Sequence, residues 1–256
     1  MDFIIELKHR NEWLFYFGVA NLILTALFAA LSFITNIQVA GVNAWHKPIK
    51  FALSIGVYAF TMGWLMYYLP QSRSTTVCSG LIVVMLTFEI VYIGLQAGRG
   101  QLSHFNISSP LYSHLYMGMA IAATIVSLIT LYIGVLFFQS DLPHLSKHYV
   151  WAIRFGLLLF VIFSLEGFVM GANLSHTIGG PDGGKGLYFL NWSRKFGDPR
   201  VAHFIGMHAL QVLPILAYYV LKNTRLTIVV AILYTLLALY VLIQALQAKP
   251  FLKFIN

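Results

Sequence analysis

The sequence predicts an all-α membrane protein, a polytopic helical bundle with about seven transmembrane helices. Three observations carry this. Of 256 residues, 59% are hydrophobic and only 9% are charged, with a mean hydropathy of +0.78; a soluble domain has about a quarter of its residues charged. Apolar runs of about 20 residues, enough for a helix to cross the hydrocarbon core, recur along the chain. Prolines and N-capping residues stand where several of these runs begin.

The spans are expected at about 13–35, 49–69, 77–98, 111–138, 149–171, 200–221 and 226–247, in one transmembrane domain covering 1–256. The N-terminal residues lack the pattern of a cleaved signal peptide, so the first span is expected to serve as the insertion signal. Span 1 has Asn21, Thr25 and Ser32 along one stripe, as helix packing in membranes uses. Span 2 carries Lys50, Ser54, Tyr58 and Thr61 on a broad face. In span 3, Glu89, Tyr92, Gln96 and Arg99 fall within an arc of about 80°. Span 4 is long enough to tilt and has His114 in its first turn. Span 5 places Glu166 and Asn173 on one face, with Arg154 towards its other end. Span 6 gathers Arg200, His203, His208 and Gln211 into an arc of about 140°. Span 7 has no acid, base or histidine. Trp45, Trp151 and Trp192, near span ends, fit an interfacial belt.

An odd number of spans puts the termini on opposite faces. One face collects His46, His104, His114, His176, His203 and His208, together with Lys47, Lys50, Arg99, Lys185, Arg194, Lys195, Arg200, Lys249 and Lys253. Pro48, Pro110 and Pro199 start spans 2, 4 and 6 from that face, with Ser109 and Asp198 as N-caps. Helix N-termini carry unpaired N–H groups and partial positive charge, so this layer suits an anion, either a lipid phosphate or a specific ligand. The net charge of +8 is therefore read as topogenic and lipid-facing, with nucleic acid not a partner. A cation count places the histidine-rich face in the cytoplasm, unless those cations serve function; the orientation stays open. Cys78, the single cysteine, excludes an intramolecular disulfide and a thiolate metal cluster.

The stretch 171–211 is the longest polar interval, and 172–199 within it is expected as a re-entrant or lid loop. It holds His176 and a turn-rich segment, Gly179-Gly180-Pro181-Asp182-Gly183-Gly184. Lys185 is not followed by the Gly-Lys-Ser/Thr ending of a phosphate-binding P-loop. The segments RGQLSHFN (99–106) and GGPDGGKGLYFLNWSRKFGDPRVAHFIGMHALQ (179–211) resemble those of an uncharacterised family of bacterial multi-span membrane proteins. The resemblance implies residence in a bacterial inner membrane and brings no residue roles. His203 and His208, five apart, depart from the His-x-x-x-His spacing of seven-span zinc hydrolases that resemble alkaline ceramidases and adiponectin receptors.

A charge at the bilayer centre costs about 2.5–3.5 kcal/mol on the most lenient scale, so buried acids and histidines point to a site. Glu89, Glu166 and His203 are the candidate catalytic or proton-exchanging groups. His114 and His208 are the expected ligands of haem b or of a divalent metal, zinc or iron, with His104 and His176 as further metal ligands. Arg99, Arg194, Arg200, Lys50, Gln96 and Gln211 are the expected cofactor-binding residues, holding propionates or phosphates. Spans 3, 4, 5 and 6 are expected to enclose the cofactor. Three functions compete. One is a haem- or metal-binding protein with an oxidoreductase-type role. The second is a metal-dependent membrane hydrolase. The third is a non-enzymatic proton-coupled transporter or pH-responsive module. Beyond the bilayer, the partner classes are an anionic small molecule, a lipid or a quinone.

Overall fold

The structure is a computed structural model and describes residues 3–183, 186–187 and 189–252; Lys185 and Lys253 lie outside the described residues. Seven helices are long and apolar enough to cross a membrane: Glu12–Ile34, His46–Met66, Arg73–Gly98, Pro110–Gln139, Lys147–Asn173, Arg200–Leu221 and Thr224–Leu246. All seven expected spans are there, and by length and composition the chain is an integral membrane protein. The largest shift is at the start of the third span, from 77 to 73. There Ser72 and Thr75 form a reciprocal capping box that the hydropathy pattern does not register.

The elements in order are α1 (Phe3–Arg10), α2 (Glu12–Ile34), a hairpin of β1 (Gln38–Val39) and β2 (Val42–Asn43), α3 (His46–Met66), α4 (Arg73–Gly98) and α5 (Pro110–Gln139). After these come α6 (Lys147–Leu165), α7 (Gly167–Asn173), α8 (Arg200–Leu216), a π-helical turn (Ala217–Leu221) and α9 (Thr224–Leu246). The helix starts follow the expected chemistry. Asn11 and Asn223 accept from the backbone N–H of Leu14 and Leu226, each at 3.0 Å, and Ser109 accepts from that of Tyr112 at 3.3 Å. Pro110 opens α5 and Pro199 directly precedes α8.

The chain divides into two compact units, Met1–Ile129 and Thr130–Asn256, and α5 runs through the boundary. In the first unit, α3 packs on α2 and α4. Gly18 and Gly56 let α2 and α3 approach closely. A Cβ on Gly56 would lie 3.3 Å from the Gly18 carbonyl oxygen, and one on Gly18 would overlap the Phe60 ring. Small residues at such contacts are what helix association in lipid requires. Trp45 is buried and its Nε1 donates to the Thr35 hydroxyl at 2.6 Å. It braces the end of α2, which corrects its reading as a belt residue. The hairpin turns on Ala40 and Gly41, both at positive φ (51° and 77°), the conformation that two-residue hairpin turns favour.

In the second unit, α6 packs on α8 and α9. Gly156 and Gly206 face across the α6–α8 seam. A Cβ on Gly156 would meet the Ala209 carbonyl oxygen at 3.0 Å, and one on Gly206 would overlap the Phe163 ring. Ala152, Leu159, Phe163, Ala202 and Ala209 form the core there, with Ala231, Ala238 and Val241 from α9. Pro214 inside α8 lacks the N–H that an α-helix needs, and the helix loosens into the π turn three residues later. The 174–199 loop is pinned at its base. Ile178 and Gly197 exchange backbone hydrogen bonds at 2.9 and 3.1 Å, and Gly197 lies against the Ala245 carbonyl at the end of α9.

Candidate functional site

The fifth span tightens locally at Glu166. α6 ends at Leu165, α7 resumes at Gly167, and Val169 N–H reaches back only three residues, to the Glu166 carbonyl at 2.8 Å. The Asn173 amide bonds its own helix, at the Val169 carbonyl. Glu166 instead faces α8. Its Oε2 is 3.4 Å from Nδ1 of His203, with the carboxyl side chain 4% exposed and the imidazole 31%. Neither carboxyl oxygen nor His203 Nδ1 has a hydrogen-bond partner. The two groups thus stand at ion-pair distance without the alignment of a hydrogen bond.

An ionised carboxylate so placed costs several kcal/mol in desolvation, and hydrogen bonds do not offset it. One proton relieves that cost in either of two ways. On the carboxyl it leaves two neutral groups, and on the imidazole it leaves a closely paired zwitterion. Moving between the two needs a shift of one proton over the 3.4 Å gap. His208 lies further along α8. Its ring packs on Phe204 at 4.3 Å between centroids, and its Nδ1 lies 3.3 Å from Gln211 Oε1.

The loop leading into α8 has two further acid–base groups, and both are spent on structure. Asp198 is buried and accepts from Arg200 Nε and Nη2 at 2.8 and 2.6 Å, and from the backbone N–H of Ser193 at 2.7 Å and of Arg200 at 3.2 Å. Arg200 Nη2 also donates to the Asn191 carbonyl at 2.7 Å. Arg200, expected to hold an anionic cofactor, is therefore engaged by an internal carboxylate. His176 is likewise held within the loop. Its backbone N–H and Nδ1 both meet Asp182 Oδ2, at 2.8 and 3.0 Å, and Ser175 donates to Oδ1 at 2.9 Å. Arg194 and Lys195 are exposed on the same loop.

Burial alone would raise the Asp182 carboxyl. The hydrogen bonds from the His176 ring, the His176 backbone and Thr177 outweigh it and hold the group well below the ordinary carboxylate range. A carboxyl lowered on folding stabilises above its unfolded pKa, and that contribution is lost as pH falls through the lower folded value. Protease resistance of residues 174–183 is therefore expected to persist from neutral pH down through about pH 4, the ordinary range, and to fail only in stronger acid. Asp182→Ala should expose the segment already at neutral pH. Limited proteolysis at stepped pH measures both.

The first unit holds the remaining expected residues. Glu89 is buried in α4, and Lys47 stands in the first turn of α3, partly buried. Lys50 lies one turn further along α3, partly buried. Gln96 is buried and structural: its amide donates to the Leu102 carbonyl at 3.1 Å, and its backbone carbonyl accepts from Gln101 N–H at 2.9 Å. Asn106 donates to the same Leu102 carbonyl. The RGQLSHFN stretch is thereby folded onto the end of α4, where Arg99 is exposed. His104 contacts the Ser103 hydroxyl at 3.2 Å and sits by the rings of Phe51 and Tyr116. His114 is exposed, with Nδ1 2.6 Å from the Pro110 carbonyl in its own first turn.

The expected haem ligands His114 and His208 thus belong to different units. Among the described residues, no three His, Cys, Asp or Glu side chains converge as a metal cluster. Comparison with family models, with curated proteins and with solved structures finds no match for this chain, which agrees with its resemblance to a family without an assigned function. Sequence reasoning singled out Glu166, His203 and His208 but not their arrangement. It missed the role of Asp182, whose one signal was an acid six residues after His176 in a turn-forming segment.

Proposed function

We propose that this integral membrane protein is a proton-coupled transporter or pH-responsive module whose protonation site is Glu166 with His203. One observation supports this above the others: a carboxyl and the Nδ1 of an imidazole face each other at 3.4 Å between two membrane spans, neither with a hydrogen-bond partner. Buried acids and histidines in membrane helices serve proton relays and switches because their charge state changes the energy of packing around them. The tight turn at Glu166 joins this chemistry to the backbone, since it lies where α6 gives way to α7. Exposed Arg194 and Lys195 on the loop entering α8 favour an anionic substrate over a neutral one.

A second reading has its own observation. With Nδ1 of His203 turned to Glu166, Nε2 is the nitrogen left for a metal, and a carboxylate behind a ligating imidazole orients it. Iron or haem held there would supply one-electron chemistry, the oxidoreductase-type role. The hydrolase reading asks for about three protein ligands around zinc, a set the described residues do not assemble.

Hydrogen exchange of the segment around Glu166, corrected for intrinsic rates and measured over a pH series, tests the protonation reading. Protection in the wild type is expected to change with pH, and Glu166→Gln is expected to hold it constant. Identical pH profiles in both proteins overturn the reading. A visible Soret band or stoichiometric iron that disappears in His203→Ala puts the second reading in its place.

A further inference from the structure

The geometry points to a phospholipid-binding site between α5 and α6, at Arg154, with the lipid phosphate on the guanidinium and one acyl chain in the groove beside it. Arg154 is the eighth residue of α6, about 10 Å along the helix from Lys147 at 1.5 Å per residue. That depth lies within the membrane, where a cation without a counter-charge is costly. Among the described residues no carboxylate pairs with it. Its Nε donates to the Phe137 carbonyl at 3.0 Å, and the rings of Phe138 and Trp151 flank it at 5.0 and 5.3 Å. These contacts orient the guanidinium and leave its charge unneutralised.

Beside it runs a cavity of about 200 Å³ lined by Leu131, Gly134, Val135, Phe138, Leu157 and Leu158. The groove exists because position 134 is glycine: a Cβ there would already touch Leu157 at 3.6 Å, and a longer side chain would fill the space. It is smaller than the roughly 300–1,000 Å³ of a small-molecule pocket, and its walls are hydrocarbon apart from Arg154. One hydrocarbon chain with an anionic head at its end matches both the walls and the charge. A membrane lipid offers that combination from the leaflet on the N-terminal side of α6. Arginine suits this task because its fork binds phosphate oxygens in pairs.

The test uses the full chain in mild detergent, phosphatidylglycerol with brominated acyl chains as the probe, and quenching of Trp151 as the readout. The Trp151 contribution is the part of the signal removed in Trp151→Phe. Wild type is expected to show saturable quenching, with one phospholipid retained per chain in native mass spectrometry. Arg154→Gln should bind about tenfold more weakly, the worth of one charge-assisted hydrogen bond. Gly134→Leu fills the groove without touching the charge and should abolish saturable quenching. If Arg154→Gln fails to fold by circular dichroism, Gly134→Leu decides. Wild-type affinity in Gly134→Leu overturns the proposal. So does full competition by glycerol 3-phosphate, which has the head without the chain. A wild-type protein that binds no lipid and runs as a dimer also overturns it, since a second copy would then cover the groove.

Discussion

Replacing His203 by phenylalanine is expected to destabilise the protein by about 3 kcal/mol, the low end of the cost of stranding one member of a buried ionic pair. The low end applies because the imidazole is 31% exposed and the gap is 3.4 Å. Phenylalanine keeps the ring volume, so the loss reports the missing proton partner of Glu166 more than a cavity. Adding Glu166→Gln should restore most of the lost stability, because a neutral amide in that position needs no counter-charge. The four proteins of this double-mutant cycle, compared by thermal unfolding in one detergent, give the coupling directly. Strictly additive losses would mean that the two side chains are neighbours without interaction.

Gly206→Leu is expected to prevent the second unit from assembling. A Cβ alone at 206 would overlap the ring of Phe163, which is completely buried on α6. Overpacking a well-filled core typically costs about 1–3 kcal/mol, and here even alanine should reach the upper part of that range. The effect reaches the site because this seam holds α6 against α8 and so sets Glu166 opposite His203. Gly206→Ala/Phe163→Leu, which returns volume to the seam, should recover folding. Yield of monodisperse protein on size-exclusion chromatography is the measurement. Wild-type yield and midpoint in Gly206→Leu would show that the helices are further apart than described.

Much of this was legible in the sequence. Apolar runs, prolines and caps located all seven spans because the bilayer imposes helix length and the backbone must satisfy itself there. The cost of charge in lipid singled out Glu89, Glu166, His203 and His208 as residues that need a reason to be present. What periodicity does not convey is which helix a polar stripe faces. Glu166 continues the face of Ala152, Gly156, Leu159 and Phe163, but that this face meets α8, and there His203, shows only once the helices are packed. Arg200 read as an anion ligand because its charge is visible in the sequence, whereas its fold-dependent bidentate contact with Asp198 is not. The helix seams were hidden for the same reason: Gly18, Gly56, Gly156 and Gly206 are apolar positions like any other until the partner helix is in place.

Infrared difference spectroscopy of the reconstituted protein over a pH series tests the central claim most directly. The account predicts a carboxyl C=O band that appears and disappears with pH, is absent in Glu166→Gln, and changes together with a ring band assigned to His203 by isotope-labelled histidine. A carboxyl band unchanged by Glu166→Gln, or a His203 ring signal that stays constant while the carboxyl titrates, would contradict it.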